Sequence, residues 1–310
     1  MSVGENLKHV VSISLGSSTR DSSVRLRLGE WDVLIERIGT DGNLKKAAAL
    51  LEQWDGKADA IGLGGTDLYV YVGEKRYTLR ESAALVANVR RTPVLDGSGL
   101  KGSLERMLIR KLAADGRIPV AGRKVLLVCA LDRFGMAEAL LDAGAELIMG
   151  DLIFGLNINC PIKSLRSLSL WGSLLAPIVT RLPVSWFYPT GKEQEQKLLR
   201  HPEYFWESDI IAGDFHYIKK FMPEKLEGKI IITNTVTAED RQMLRDAGIS
   251  ALVTTTPSLE GRSFGTNVME AVLTALSGSR EPLTGAQYLQ LLENYRIESS
   301  IELFNTKEMS

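Results

Sequence analysis

Residues 122–151 read GRKVLLVCALDRFGMAEALLDAGAELIMGD. The apolar run at 125–130 is typical of a buried parallel strand. The apolar spacing over 136–143 predicts a helix, and Gly144 is placed to end it. A second short strand follows and stops just before Asp151. This order predicts a βαβ unit with an acidic residue at the place where dinucleotide-binding folds hold a ribose hydroxyl.

The turn between this strand and helix differs from the dinucleotide-binding fingerprint. That fingerprint has three glycines, which give a tight turn and let the pyrophosphate approach the backbone. Here only Gly135 remains, and Asp132 and Arg133 precede it. The carboxylate of Asp132 would repel a phosphate, whereas the guanidinium of Arg133 would attract one. Two interpretations stay open: a nucleotide-binding unit, and a βαβ unit that binds no nucleotide.

Length and composition indicate a globular protein of two domains. The chain has 310 residues, of which 45% are hydrophobic and 24% are charged, both ordinary values for globular proteins. With 37 basic and 38 acidic residues the net charge is −1, which argues against a nucleic-acid partner. We therefore expect a small-molecule ligand and no nucleic acid.

The two cysteines and the lack of long apolar runs suggest a cytoplasmic protein. Cys129 falls in a predicted buried strand and Cys160 outside it, so a disulfide is not expected and a reducing compartment fits. We find no signal-peptide core and no uncharged apolar run of about 18 residues. No membrane span is expected.

The alternation of strands and helices predicts a mixed α/β N-terminal domain followed by a Rossmann-like, doubly wound parallel-sheet domain. The Gly- and Pro-containing stretch 115–123 is the expected boundary. We assign 1–118 to the N-terminal domain, 119–277 to the Rossmann-like domain, and 278–310 to a C-terminal helical segment that packs back on the domains. The strand at 125–130 is expected at the centre of the second sheet.

The apolar helix predicted at 168–179 has two interpretations. Large apolar side chains are mostly core, so the helix is expected to pack on its own sheet. The alternative is a dimer contact or a lid over an apolar pocket. A homodimer therefore stays open.

Four predicted strands end in polar or glycine-rich turns. In open α/β sheets ligands bind beyond the carboxyl ends of the strands, so these turns are the candidate sites. They are Gly64-Gly65-Thr66-Asp67, Asp96-Gly97-Ser98-Gly99-Leu100-Lys101, Asp132-Arg133-Phe134-Gly135 and Thr254-Thr255-Thr256-Pro257.

The turn from Asp96 to Lys101 leads into a predicted helix. Backbone N–H groups at a helix N-terminus, together with Lys101, would hold an anion. Gly97 and Gly99 would let the backbone approach that anion closely. The order Gly-Lys-Ser of a Walker loop is absent. The alternative is a glycine-rich helix start with Ser103 as N-cap and Lys101 in water.

The histidines and cysteines give little indication of a metal site or a catalytic site. The histidines are His9, His201 and His216, and none has a metal-ligand spacing, so no metal site is predicted. His216, close to Asp214 in sequence, is the histidine that could act as an acid or base. The chain has no Gly-x-Ser-x-Gly elbow, so a hydrolase of that type is not supported.

Three stretches resemble the shikimate/quinate dehydrogenase family. Asp96-Gly97-Ser98-Gly99 is similar to the family's Asn-Thr-Asp-Gly segment, 125–151 to its first Rossmann βαβ unit, and 253–257 to its Asn-Ala-Thr-Pro turn. The resemblance implies a substrate domain followed by a domain that binds NAD(P), with the active site between them. The family's catalytic lysine stands in an early Pro-x-Lys segment that this chain lacks before Asp96, so Lys101 is chosen from local chemistry.

The resemblance implies an NAD- or NADP-dependent oxidoreductase that acts on a small, anionic hydroxy-acid or carbinol substrate. The carboxylate of Asp151 would favour NAD, because it would repel the 2′-phosphate of NADP. The expected cofactor contacts are Asp132, Arg133, Gly135, Asp151, Thr254, Thr255, Thr256 and Pro257.

The substrate would lie in the cleft between the domains. Lys101 would act as acid and base on the carbinol, with Asp96 or Asp67 orienting it. The expected substrate contacts are Gly64, Gly65, Thr66, Gly97, Ser98 and Gly99.

Two other classes of function stay open. One is a non-redox two-domain binding or sensor protein for a small anionic metabolite. The other is a group-transfer enzyme with two nucleotide-like domains, in which Lys101 and Arg262 would hold phosphate.

Overall fold

The computed structural model describes residues 6–73, 75–184, 197–256, 258–259 and 262–304, with only the backbone described at 258–259 and 262–263. It confirms the predicted fold class, a mixed α/β protein with two sheets built mainly of parallel strands. Among the helices in these ranges, none is long and apolar enough to cross a membrane.

The first sheet has the strand order β2-β3-β1-β4-β7. Only β2 runs antiparallel to its neighbour; the other pairs are parallel. Val10 and Val11 on the central strand are both fully buried, as expected where both faces of a sheet are covered. The elements of this part are β1 (Leu7–Ser14), β2 (Ser22–Leu28), β3 (Trp31–Gly39), α1 (Leu44–Trp54), β4 (Ala60–Gly64), β5 (Tyr69–Val72), β6 (Lys75–Thr78), α2 (Arg80–Leu85) and β7 (Val94–Leu95).

A helical connector joins the two sheets. It consists of α3 (Ser98–Leu100), a π-helical turn (Lys101–Glu105) and α4 (Arg106–Asp115). Gly97 starts it with φ +94°, a left-handed conformation that favours glycine. Short π-helical turns often occur at functional sites, which directs attention to Lys101–Glu105.

The second sheet has the order β15-β12-β11-β10-β8-β9, and only β15 is antiparallel to its neighbour. The elements of this part of the chain are β8 (Lys124–Leu127), α5 (Phe134–Asp142), β9 (Glu146–Met149), a π-helical turn (Asp151–Gly155), α6 (Leu165–Val179), α7 (Pro202–Glu207), β10 (Ile210–Gly213), α8 (Phe215–Phe221), β11 (Ile230–Thr233), α9 (Ala238–Asp246), β12 (Ala251–Thr254), β13 (Ser258–Leu259), β14 (Arg262–Ser263), α10 (Thr266–Ser277), α11 (Gly285–Asn294) and β15 (Ser300–Leu303), with β13 and β14 paired in a small sheet of their own.

The expectation that the strand at 125–130 lies at the centre of this sheet is wrong. That strand is β8, which ends at Leu127 and has β9 on one side and β10 on the other. Strand β9 forms one edge of the sheet, and the other strands lie beyond β10. Strand β8 is therefore second from the edge.

Two C-terminal elements depart from the predicted division of the chain. Helix α10, placed in the second domain by sequence, packs on β1 and β4 of the first sheet. Every side chain from Val268 to Leu276 is buried, Glu270 and Thr274 included, because this mainly apolar helix lies inside the protein. Strand β15, in the segment predicted to be helical, extends the second sheet.

Candidate functional site

A cavity of about 780 Å³ lies between the two sheets. Its wall includes Ser14 and Gly64 at the ends of β1 and β4, and Cys129, Asp214 and Asn234 just after β8, β10 and β11. In each sheet the chain adds strands first on one side of β1 or β8 and then on the other, so the cavity meets both sheets where their strand order reverses. Doubly wound folds bind their ligands at such points.

Lys101 connects the two sides of this cavity. Its Nζ donates to Oδ1 of Asp67 at 2.8 Å and to Oδ1 of Asp132 at 2.9 Å. Asp67 belongs to the loop after β4, and Asp132 to the loop after β8. All three residues line the cavity. One ammonium group therefore bridges carboxylates attached to the two different sheets.

Of this cluster, Asp67 changes its charge near neutral pH. Burial raises the pKa of Asp67 to about 7, with Lys101 opposing and Asp132 adding to the rise. Burial works against the charged form of Lys101, but Asp132 and Asp67 outweigh it and hold the pKa of Lys101 well above its usual range. Lys101 is therefore a stable cation, and Asp67 is the group suited to exchange a proton.

Arg133 lies behind the cavity rather than in its wall. Its side chain is fully buried and is ion-paired with Glu105 of the connector, and its Nη2 lies 3.2 Å from Oδ2 of Asp214. Burial alone would lower the pKa of Arg133, but Glu105 and Asp132 raise it well above the ordinary value. Arg133 thus joins the connector to the second sheet and does not reach a ligand in the cavity.

The carboxylate of Asp151 closes the turn after β8. Its two oxygens accept the backbone N–H groups of Ala130 at 3.1 Å and Leu131 at 2.8 Å. Burial raises the pKa of Asp151 to about 6, although these bonds oppose the rise. These amides occupy the part of the turn where a Rossmann fold offers N–H groups to the pyrophosphate.

The other residues of this turn do not fit a dinucleotide either. A Cβ on Gly135 would stand 2.9 Å from the carbonyl oxygen of Gly102, so this glycine serves the packing of α5 on the connector. Asp132 adds a negative charge, and the charge of Arg133 is already paired. The turn therefore does not fit a pyrophosphate held in the Rossmann manner.

Thr254 at the end of β12, and Thr255 and Thr256 after it, are buried and hydrogen-bonded within the protein. The hydroxyl of Thr254 pairs with that of Ser300 at 2.6 Å, and the hydroxyl of Thr256 donates to the carbonyl of Asn234 at 2.6 Å. The N–H of Thr255 donates to the carbonyl of Thr233 at 2.7 Å. None of the three is in the cavity wall, and Pro257 lies outside the described residues.

Asp96 organises the start of the connector. Its carboxylate accepts the N–H groups of Leu68 at 2.6 Å, Tyr69 at 3.2 Å and Ser98 at 3.0 Å. The sequence predicts that the N–H of Ser98 is available to an anion, but this N–H donates to Asp96 instead. Lys101 is not in water either, because its side chain is only 14% exposed.

The predicted substrate contacts separate into two groups. Gly64, Gly65 and Thr66 line the cavity, whereas Gly97, Ser98 and Gly99 do not. A Cβ on Gly97 would lie 2.9 Å from the backbone nitrogen of Asn267, and one on Gly99 would meet Glu270. Gly97 and Gly99 therefore face α10.

Several residues of the cavity wall were not predicted from the sequence as site residues. Asn234 donates through Nδ2 to Oδ2 of Asp214 at 2.9 Å, and both residues line the cavity. Each follows a strand directly, so the rule that ligands bind at strand ends would have found them. Arg20 and Arg37 also line the cavity, but nothing in their local sequence indicated it. Within the described ranges, no group of His, Cys, Asp and Glu side chains could hold a metal ion.

Some solved structures share the general fold at low similarity. The NAD-dependent malic enzyme from Thermotoga maritima has a TM-score of 0.37 and 14% identity, over 94% of this chain and 85% of that chain. The L-tryptophan dehydrogenase from Nostoc punctiforme has a TM-score of 0.37 and 12% identity, over 94% of this chain and 80% of that chain.

A sugar ABC transport substrate-binding protein from Bordetella parapertussis also has a TM-score of 0.37, with 11% identity, over 99% of this chain and 94% of that chain. These scores are too low to carry an argument about function.

Sequence comparison assigns a family but no activity. No curated protein matches the chain. A family model described as "Domain of unknown function (DUF8753)" matches residues 9–96. A second, described as "Domain of unknown function (DUF8754)", matches residues 99–304. Because this second match spans more than half of the chain, the protein belongs to the DUF8754 family.

Proposed function

We propose that the cavity is the active site of an oxidoreductase that acts on a small hydroxy acid or carbinol, of the type that quinate and shikimate represent. The observation that carries the proposal is the Asp67–Lys101 pair in the cavity wall, with Nζ and Oδ1 2.8 Å apart. A carboxylate that titrates near neutral pH beside a fixed cation is suited to proton transfer at a hydroxyl group.

The two residues have different roles in this proposal. As the carbinol is oxidised, the carboxylate of Asp67 accepts the hydroxyl proton. Lys101 stays protonated and stabilises the negative charge that develops on the substrate oxygen. In the reverse direction, Asp67 returns the proton to the oxygen of the carbonyl. Asp132 keeps the ammonium of Lys101 in place from the other sheet.

NAD or NADP is the cofactor that the family resemblance implies, and a nicotinamide would supply the hydride chemistry. The turn after β8 does not fit its pyrophosphate, because Asp151 already accepts the N–H groups of Ala130 and Leu131. Only the proton transfer is therefore assigned to residues of this chain.

A non-redox protein that binds or senses a small metabolite is the second candidate. The closed turn after β8 favours it, since such a protein needs no dinucleotide site. The cavity between two sheets, bridged by Lys101, would then serve to bind the metabolite and change the spacing of the sheets.

Two measurements on the purified protein separate these functions. The first is a fluorescence titration with NADH, and the second is an absorbance assay of NAD or NADP reduction with quinate, shikimate and other small hydroxy acids. The oxidoreductase predicts saturable NADH binding by a part of the protein other than the turn after β8, and turnover of a hydroxy acid that is lost in Asp67→Asn. The matched control is Asp32→Asn, an exposed carboxylate paired with Arg25 outside the cavity.

Quinate binding without NADH binding would support the metabolite-binding protein instead. Absence of both NADH binding and turnover, or full activity of Asp67→Asn, would overturn the proposed enzyme.

A further inference from the structure

Two arginines converge at the end of β1. Arg37 comes from β3 and Arg20 from the 3₁₀ turn Ser18–Arg20, and both line the cavity. A Cβ on Gly16 would lie 2.7 Å from Nη2 of Arg20 and 3.1 Å from Nη2 of Arg37. A residue larger than glycine at this position would displace one or both guanidinium groups.

Arg37 is held in a fixed orientation beside Arg20. Its Nη1 donates to the carbonyl of Ser17 at 3.0 Å and to Oδ1 of Asp21 at 3.1 Å. Burial and the charge of Arg20 lower the pKa of Arg37, while Asp21 and Asp41 oppose this effect. Two like charges held this close repel each other, and an anion bound between them would remove the repulsion.

The first turn of α10 lies in the same part of the cavity. Its N-cap is Gly265, which has no side chain to cap the helix, and Gly265, Thr266 and Asn267 line the cavity. Asn267 donates through Nδ2 to Oγ of Ser12 on β1 at 3.2 Å, so the helix start is adjacent to the end of that strand. The N-terminus of this helix therefore adds positive potential there.

Thr266 supplies an independent indication of a ligand. The residue is only 7% exposed, and its hydroxyl oxygen is buried without a hydrogen-bond partner among the described residues. Buried hydroxyl groups nearly always have a partner. A rotation of this side chain toward the cavity would let an anion at the start of α10 accept the hydrogen bond that Thr266 can donate.

We propose that Arg20, Arg37 and the first turn of α10 form a subsite for a phosphate group of the ligand that enters the cavity. The anion site expected at Asp96–Lys101 is not available for this role, because Lys101 is bound by Asp67 and Asp132. The Arg20–Arg37 subsite provides positive charge at the end of the first sheet instead.

The number of positive groups favours phosphate over carboxylate. A guanidinium binds either group through two parallel hydrogen bonds, and one guanidinium is enough for a carboxylate. Two guanidinium groups and a helix N-terminus together suit the doubly charged phosphate. Ser14 adjoins both Gly16 and Gly64, since a Cβ on either glycine would lie 3.2 Å from its Oγ. Gly64 stands three residues before Asp67 in the same cavity wall, so the subsite and the Asp67–Lys101 pair face one continuous cavity. This inference rests on the proposed function only in calling the molecule that binds there the substrate, which would then be a hydroxy acid or carbinol that carries a phosphate group.

Calorimetric titration with inorganic phosphate, and with acetate as the carboxylate probe, tests the subsite. We expect saturable phosphate binding that is weakened at least about tenfold, a loss of one charge-assisted contact, in Arg37→Gln and in Arg20→Gln. Gly16→Ala should weaken phosphate binding as well, because its methyl group takes the space of both guanidinium nitrogens. The matched control is Arg25→Gln on β2, an exposed arginine outside the cavity wall, which should bind phosphate like the parent.

The outcomes distinguish this inference from the proposed function. Equal phosphate binding by the parent and both cavity-arginine variants would overturn the subsite, and so would tighter binding of acetate than of phosphate. Urea unfolding of each variant shows whether a loss comes from misfolding, and the two glutamine variants keep the test valid if Gly16→Ala fails to fold. Phosphate binding by a parent protein that neither binds NADH nor turns over a hydroxy acid would overturn the proposed function alone.

Discussion

The ammonium nitrogen of Lys101 lies 2.8 Å from Oδ1 of Asp67, although 34 residues separate them in the chain. Lys101 stands at the start of the helical connector, and Asp67 follows a strand of the first sheet. The same ammonium also binds Asp132 of the second sheet. A movement of one sheet relative to the other would therefore change the environment of the proposed proton acceptor.

Lys101→Met should abolish most of the turnover. The variant removes the cation that stabilises charge on the substrate oxygen, and a loss of about 10²–10³-fold in kcat is expected for one such donor. Lys101→Arg keeps the charge and should retain more activity than Lys101→Met, because Lys101 acts as a cation and Asp67 exchanges the proton. Steady-state kinetics of the two variants measure this order. Equal loss in both would contradict a purely electrostatic role for Lys101.

The rate of oxidation should rise with pH, with a midpoint near the Asp67 pKa of about 7. Only the ionised carboxylate can accept the hydroxyl proton, so activity is low below this pKa and levels off above it. A profile of kcat/KM against pH measures the midpoint, and the residual activity of Asp67→Asn should lack this limb. A parent profile that is flat between pH 5 and 9, a range of about two units on either side, would exclude this role.

The pKa of Asp67 also affects folding stability. Because it is about 7 in the folded protein and about 3.9 in an unfolded chain, the folded state binds more protons between these values. The contribution of Asp67 to the free energy of unfolding is therefore greatest below about pH 4 and falls until about pH 7.

Strands and most helices could be predicted because their signals are local. The strands at 210–213, 230–233 and 251–254 agree in bounds with the apolar runs in the sequence. The place of a strand within its sheet depends instead on how many later strands are added on each side. The position of β8 could therefore not be predicted from its own residues.

The site was predictable only in part, for a related reason. Strand ends indicated Asp67, Lys101 and Asp132, but which carboxylates share the ammonium depends on how the two sheets pack. Asp151 stands where a ribose-binding acid was expected, yet its carboxylate turns to the amides of its own neighbouring turn. Side-chain orientation of this kind is decided by competing hydrogen bonds that residue spacing does not reveal.

Arg133→Met should destabilise the fold strongly. It would leave the buried carboxylate of Glu105 without its cation, which typically lowers the free energy of unfolding by about 3–5 kcal/mol, and would also remove a partner of Asp214 in the cavity wall. The double variant Arg133→Met with Glu105→Met should be less destabilised than the single one, because the unpaired carboxylate of the connector is gone. Urea unfolding measures both. A single variant as stable as the parent would show that the ion pair contributes nothing to the fold.

Variants of Asp151 distinguish a structural role of its carboxylate from a role in binding a cofactor. Asp151→Ala leaves the N–H groups of Ala130 and Leu131 without an acceptor, so we expect a loss of about 1–3 kcal/mol in the free energy of unfolding for each buried amide left unpaired. Asp151→Asn retains one acceptor oxygen and should lose less. Urea unfolding measures the order of stability, and NADH and NADPH titrations of the folded variants measure cofactor preference.

The pH dependence provides a second test of Asp151. Its pKa is about 6 in the folded protein, above the value of about 3.9 in an unfolded chain. Its titration therefore lowers the parent's stability as pH rises from about 4 to about 6, and Asp151→Asn should lack this slope. In the structural role, the ratio of NADH to NADPH affinity stays unchanged in Asp151→Asn. If that ratio instead falls while stability is unaffected, the carboxylate holds a ribose hydroxyl, and the turn after β8 must open to admit a dinucleotide.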